Sequence, residues 1–144
     1  MPETDHRSKQ TSWTFPRVVA AVGGGFFLAT GLWAMVAPRS FFDALATFEP
    51  YNQHLIQDIG AFQIGLGAVL LLAALTRLDA LATALGGVGI GSAAHVVSHA
   101  VGTDLGGTPA MDIPVFSVLT LLLLAAAGQQ WRSRQAEGSS SAER

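Results

Sequence analysis

Four side chains that could do chemistry lie in two short stretches of a mostly apolar chain: His54 and Asp58 in the first, His95 and His99 in the second. Each pair has i, i+4 spacing, which puts both side chains on one face of a helix. Two imidazoles at this spacing can grip one metal ion, and a carboxylate from a neighbouring helix completes a nitrogen and oxygen ligand set suited to zinc, iron, copper or manganese. We therefore predict a metal site built from these four residues.

Other roles remain open for the same residues. Haem ligation would need one imidazole on each side of the ring, such as His54 and His95. Proton handling would use imidazoles, which titrate near neutral pH, together with Asp58. A bond between Asp58 and His95 could instead be a structural clamp between two helices. The second stretch lacks the Glu of an H-E-x-x-H motif, so the sequence does not support a metalloprotease.

Composition indicates the class of protein. Half of the 144 residues (50%) are hydrophobic and only 12% are charged, where a soluble domain has roughly 25% charged residues. The apolar residues occur in long blocks, which is typical of chains that cross a lipid bilayer. A net charge of -2 excludes a polybasic nucleic-acid surface, and the lack of cysteine excludes disulfides, iron–sulfur clusters and thiol catalysis.

Four apolar runs are predicted to be transmembrane helices, which makes the chain an all-α integral membrane four-helix bundle. Runs of about 20 residues cross a hydrocarbon core of about 30 Å at 1.5 Å per residue. The bundle occupies residues 18–131, between polar tails at 1–17 and 132–144. The predicted spans are residues 18–37, 53–75, 80–101 and 113–131.

A short amphipathic helix is predicted between the first two spans, at residues 40–48. Pro38 ends the first span, and the S-x-x-D pattern from Ser40 to Asp43 is typical of a helix start. Phe41, Phe42, Leu45 and Phe48 would share one face at helical spacing, as in a helix that lies in the membrane interface.

The distribution of basic residues predicts the orientation. Seven of the eight Arg and Lys residues fall in the two tails and the loop at 76–79, and Arg39 alone falls on the opposite side. Cytoplasmic segments carry such an excess, so both termini are predicted to be cytoplasmic and the chain a multi-pass protein of the plasma (inner) membrane.

The second and third spans should be antiparallel neighbours, because a loop of four residues joins them. At 1.5 Å per residue, Asp58, His95 and His99 would lie roughly 22 to 29 Å from that loop, in one layer. Small residues continue the stripe of each pair, Ala61 and Gly65 on one helix and Gly87 and Gly91 on the other. Such residues form close seams between membrane helices, so we predict that these two stripes pack together. In the first span, Gly23, Gly24, Gly25 and Gly31 also predict close packing.

A family resemblance adds to this interpretation. The segments 31–34, 37–43 and 50–61, followed by His95 and His99, resemble a group of small four-helix actinobacterial membrane proteins that are loosely similar to the DoxX-like proteins. The block around His54 and Asp58 is the most specific part. The resemblance implies a four-helix bundle and a role near redox or quinone-associated complexes, and it assigns no catalytic residue.

Three functional hypotheses follow. The first is a ligand-binding or redox-associated membrane protein that holds a divalent metal or haem. The second is a non-catalytic subunit that docks to a larger membrane complex, or to itself, through glycine-rich faces. The third is a membrane enzyme or proton-coupled carrier for a lipophilic substrate, which would need oligomerisation because four helices are too few to enclose an alternating-access path.

Overall fold

The structure is a computed structural model that describes residues 13–76 and 80–142. All regular structure in these residues is helical, which confirms the all-α prediction. The helices are α1 (Phe15–Val36), α2 (Pro38–Leu45), α3 (Gln53–Leu75), α4 (Leu81–Val101) and α5 (Pro109–Ala142).

Four of the helices, α1, α3, α4 and α5, are long and apolar enough to cross a membrane. The protein is therefore a small multi-pass membrane protein, as predicted. Three boundaries of these spans differ by more than one residue from the predicted ones. Helix α1 begins at Phe15, inside the predicted N-terminal tail. Helix α5 begins at Pro109, four residues before its predicted start at 113, and continues to Ala142, through most of the predicted C-terminal tail. Residues 1–12, the loop residues 77–79 and residues 143–144 lie outside the described part of the chain.

The two ends of the bundle carry different residues, and we name each after a feature. The Arg17 end holds the start of α1, the end of α3 and the start of α4. There the Arg17 guanidinium donates hydrogen bonds to the carbonyl oxygens of Ala74 and Thr76, the latter at 3.2 Å. These carbonyls belong to the last turn of α3, where a helix leaves acceptors without an internal partner. The α2 end holds α2, the start of α3 and the end of α4.

Helices α1 and α3 touch backbone to backbone through two glycine pairs. A Cβ atom added to Gly31 would lie 2.7 Å from Gly60 O, and one added to Gly60 would lie 2.8 Å from Gly31 O. Gly24 and Gly67 form the same reciprocal contact one heptad away, at 3.0 and 2.8 Å. The spacing of seven residues is equal on both helices, so both pairs meet in one antiparallel register. The prediction of close packing is thus confirmed for Gly24 and Gly31.

Helices α4 and α5 form a second antiparallel pair. A Cβ atom added to Gly89 would lie 2.7 Å from a Leu124 methyl carbon, so α5 packs closely on this position. The two pairs share a core that lies mostly toward the Arg17 end. Its buried residues come from all four long helices: Ala20, Phe27, Leu70, Ala73, Ala74, Leu81, Ala84, Leu85, Val88, Leu123 and Ala126.

The predicted seam between the Asp58 and His95 stripes is wrong. Nothing lies within 4 Å of a Cβ added to Gly65, Gly87 or Gly91. Instead an open apolar groove of about 380 Å³ separates α3 from α4, which we call the α3/α4 groove. It is lined by Leu66, Val69, Ala80, Thr83, Ala84, Gly87 and Val88.

The predicted seam fails because of the way α3 is rotated about its own axis. Gly60 and Gly67 share the face of α3 that α1 covers, whereas Gly65 is five residues from Gly60 and so points about 140° away at 3.6 residues per turn. Contact with α1 therefore turns the stripe that carries Gly65 out of the α1/α3 contact. Gly25 of α1 is likewise open, so its predicted packing role is wrong.

The short helix α2 is confirmed, but it runs from Pro38 to Leu45 in place of 40–48, so Phe48 lies outside the helix. Its aromatic face packs on the protein, since Phe41 and Phe42 are buried against Ala34 and Ile56. Leu45 is exposed. On the surface of the same helix, Arg39 forms a 3.0 Å salt bridge with Asp43, and its hydrogen bond to that carboxylate raises the Arg39 pKa.

We expect Gly60→Ala to destabilise the protein, because the new methyl group would press on Gly31 O. Overpacking of this kind costs about 1–3 kcal/mol. Gly25→Ala is the matched control, since nothing lies near that position and alanine favours a helix. Thermal unfolding in detergent should show a lower Tm for Gly60→Ala only. Equal Tm values for the two variants would contradict the backbone contact.

Candidate functional site

The four predicted site residues lie on α3 and α4 near the α2 end. His54 and Asp58 occupy the first two turns of α3, and His95 and His99 the last two turns of α4. Because α3 and α4 run in opposite directions from the loop at 76–80, both pairs lie toward the same end. The prediction of one layer is thus consistent with the fold, and the remaining question is whether the pairs meet.

His54 and Asp58 form an exposed pair. His54 Nε2 lies 3.5 Å from Asp58 Oδ2, and the two side chains are 87% and 52% exposed. Asn52 starts this helix by accepting a hydrogen bond from Leu55 N at 3.2 Å, which fixes the position of His54 in the first turn. An exposed i, i+4 pair contributes about 0.5 kcal/mol or less to stability. Because the fold depends little on this pair, the His54 and Asp58 side chains are available to bind a group outside the chain.

His95 and His99 stack with an aromatic side chain from α5. The centroids of the two imidazole rings are 4.7 Å apart, and the Phe116 ring lies 4.4 Å from His95 and 5.8 Å from His99. The His95 contact is edge-to-face, an arrangement that aromatic rings prefer. Phe116 was not predicted as a site residue, because a phenylalanine in an apolar span gives no signal of its own.

Asp112 links His99 to the start of α5. Its Oδ2 lies 3.6 Å from His99 Nδ1 and accepts a hydrogen bond from Thr108 N at 2.7 Å. The side chains of His99 and Asp112 are only 24% and 16% exposed. Asp112 lies in the first turn of α5, and its side chain caps the start of that helix by accepting from Thr108 N. The contact with His99 was missed, although both residues flank the same short loop.

Gly107 closes this group from the loop. A Cβ atom at Gly107 would lie 3.1 Å from Asp112 Oδ2 and 3.8 Å from His99 Cε1, and the residue has a φ of +79°. That conformation is rare for any residue except glycine. The loop backbone therefore covers the carboxylate, which leaves no room for a bulkier residue at this position.

The two pairs remain separate. Within residues 13–76 and 80–142, no hydrogen bond, ion pair or ring contact joins His54 or Asp58 to His95 or His99, and no group of three or more His, Asp or Glu residues is arranged to hold a metal ion. The geometry thus lends no support to the metal site, and ligation of a metal or haem by His54, Asp58, His95 and His99 stays a prediction.

The His99–Asp112 pair resembles part of a hydrolytic triad, in which a carboxylate orients an imidazole that activates a hydroxyl. In the described part of the chain no Ser or Thr side chain is hydrogen-bonded to His95 or His99. The Asp112 oxygen is also used by the helix cap. The contacts present here therefore join α4 to α5 and do not form a nucleophilic catalytic set.

Fold and site together define a small four-span membrane protein with one polar cluster between α4 and α5 and one exposed polar pair on α3. Comparison with protein-family models, curated proteins and solved structures finds no match. The resemblance to DoxX-like proteins accordingly stays a prediction.

We expect Asp112→Ala to lower the free energy of unfolding by about 1–2 kcal/mol, because it removes a helix cap and leaves Thr108 N–H without its partner. Asp58→Ala, which removes only an exposed pair, should change it by about 0.5 kcal/mol or less. Chemical unfolding in detergent measures both values. Equal losses would show that Asp112 has no greater structural role than Asp58.

Proposed function

We propose that the protein is a non-catalytic membrane subunit, and that it docks against a transmembrane helix of another membrane protein through the α3/α4 groove. The observation that carries the proposal is that two small-residue stripes run along α3 and α4, with Gly87 lining the groove and nothing packed on the glycines of either stripe. One stripe is Asp58, Ala61 and Gly65 on α3, and the other is Gly87, Gly91 and His95 on α4. All six residues are exposed. We call them the docking face.

The glycines inside the bundle show what such a stripe does when it has a partner. Gly31 and Gly60 bring α1 and α3 into backbone contact, while Gly65, Gly87 and Gly91 have nothing within 4 Å. Association of membrane helices depends on close packing, for which small residues are used, because lipid provides no hydrophobic drive between helices. The open stripes thus have the small-residue composition of a helix–helix contact, but no helix packs on them.

The exposed side of α5 has a different composition. Val115, Val118 and Leu121 are exposed there. Large aliphatic side chains are as apolar as lipid tails and suit a surface that faces lipid. The contrast between these residues and the glycines of the docking face favours a protein neighbour for the groove and lipid for α5.

The polar ends of both stripes support the same proposal. Asp58 and His95 are exposed residues of membrane-length helices at the α2 end of the docking face. Ionisable side chains within a membrane are costly unless they pair, so they mark functional contacts by default. A partner helix that continues from the groove toward the α2 end would come within reach of both side chains.

Two variants of equal size test the docking face. Gly91→Leu adds a bulky side chain to the α4 stripe one turn beyond the groove-lining residue Gly87, and Gly25→Leu adds the same side chain to the open side of α1. Neither glycine has an intramolecular neighbour, so both variants should keep the Tm of the wild type. When the protein is released from nanodiscs cut directly from membranes and its mass is measured, the wild type and Gly25→Leu should carry a second, different protein besides the 15.0 kDa chain. Gly91→Leu should release the 15.0 kDa chain alone.

Two results would overturn the proposal: a wild type that is a single chain in native nanodiscs, or a Gly91→Leu variant of unchanged mass. Metal analysis and an absorption spectrum of the same wild-type sample address the alternative. Stoichiometric metal or a haem band, lost in both Asp58→Leu and His95→Leu, would favour the cofactor site of His54, Asp58, His95 and His99.

The orientation is part of the proposal. We place both termini in the cytoplasm and the α2 end on the outer face of the plasma membrane, because seven of eight basic residues lie on the side of the termini and the 76–79 loop. The docking face then presents its polar end outward.

Cysteine labelling measures this orientation in a chain that has no natural cysteine. Leu105→Cys lies in the exposed α4–α5 loop and Gln135→Cys in the exposed extension of α5. We expect an impermeant thiol reagent to modify Leu105→Cys on intact cells, and Gln135→Cys only after permeabilisation. The opposite pattern would reverse the assignment.

A further inference from the structure

The bundle consists of two halves whose contacts differ at the two ends. The first half contains α1, α2 and α3, and the second contains α4 and α5. The shared core, which includes Leu70, Ala74, Leu81 and Leu85, joins the halves mainly toward the Arg17 end. The α3/α4 groove lies beside this core at the same level, since Ala84 and Val88 belong to both. Whatever holds the halves at the α2 end therefore controls how far they separate there.

At the α2 end, the loop between α4 and α5 crosses to the first half. Gly107 N donates a hydrogen bond to Thr47 O at 3.1 Å. Of the residues described at this end, these two form the hydrogen bond that links the halves. The geometry points to residues 102–108 as a strap that holds the α2 ends of the two halves together, with Asp112 as its latch.

Gly106 makes the strap fit against the first half. A Cβ atom on this residue would lie 2.7 Å from Thr47 O and 2.9 Å from Phe48 Cα. Its φ of +107° also disfavours any side chain. Backbone therefore meets backbone at this contact, as it does between α1 and α3, and a single methyl group is enough to displace the strap.

Asp112 holds the other side of the strap. Its carboxylate accepts a hydrogen bond from Thr108 N at 2.7 Å, and a Cβ atom added to Gly107 would lie 3.1 Å from the same oxygen. Thr108 and Gly107 directly follow the residue that touches Thr47 and Phe48. The Asp112 side chain thus fixes the strap backbone within two residues of the contact between the halves, and His99 positions the carboxylate from α4.

Release of the strap would let the two halves move apart at the α2 end while the core keeps the Arg17 end closed. The strap is thus a device that sets the distance between the two halves at the α2 end. This inference concerns the chain alone, so it stands whether or not a partner helix occupies the groove.

The separation of the halves can be measured between two spin labels, because the chain has no cysteine of its own. Ala44→Cys on α2 and Val115→Cys on α5 are exposed and lie outside the strap. In lipid nanodiscs we expect one narrow distance for the labelled protein, a shift to longer distances in Gly106→Ala, and no shift in Gly128→Ala. Gly128 is the matched control, since nothing lies within 4 Å of its added Cβ.

Variants of Asp112 test its role as the latch separately from the backbone contact made at Gly106. Asp112→Ala should give the longer distance with Gly106 intact, whereas Asp112→Asn keeps an oxygen that can accept from Thr108 N and should give a smaller shift. If Gly106→Ala does not fold, the Asp112 variants alone test whether the strap holds the two halves together. An unchanged distance in folded Gly106→Ala, an unchanged distance in Asp112→Ala, or an equal shift in Gly128→Ala would each overturn the strap.

Discussion

The contact between the backbones of α1 and α3 is the constraint on which the rest of the structure depends. Membrane helices gain little by hiding apolar side chains from one another, so their association relies on close packing. Gly31 meets Gly60 and Gly24 meets Gly67 in one register. This closeness allows dispersion and weak Cα–H···O contacts along the whole seam. It also decides which face of α3 is buried, and hence that Asp58 is turned outward.

Once α1 occupies one side of α3, the second half of the chain has to build its own contacts. Helix α4 packs on α5 through Gly89, and Asp112 joins the end of α4 to the start of α5 through His99. His99 and Asp112 thus have partners inside the fold. On α3 the His54–Asp58 pair has only itself and remains exposed. The division of the helices into two pairs therefore also divides the polar residues into satisfied and available ones.

The sequence predicts where the helices lie along the chain better than it predicts which face of each helix is buried. Apolar runs, Pro38 and the Asn52 region define the spans and the short helix closely, because these signals are local. The faces depend on register between distant segments. Helix α3 carries glycines on two sides, Gly60 with Gly67 and Gly65 alone, and only the matching spacing of Gly24 and Gly31 on α1 selects the first set. The extension of α5 past Trp131 was missed because a polar, Ser-rich segment has no apolar period.

The same limit explains the candidate site. Equal depth for Asp58, His95 and His99 follows from chain direction and a short loop, so it could be predicted. Whether these side chains meet depends on how each helix is rotated about its own axis. Contact with α1 sets the rotation of α3, and contact with α5 sets that of α4. The rotation that removes Asp58 from His95 leaves the glycines of both stripes open, and Gly87 lines the α3/α4 groove. In our proposal a partner helix covers these residues, which the sequence predicted would meet each other. The predicted seam is therefore wrong as a contact within one chain. We propose that its residues instead form the face through which the chain docks.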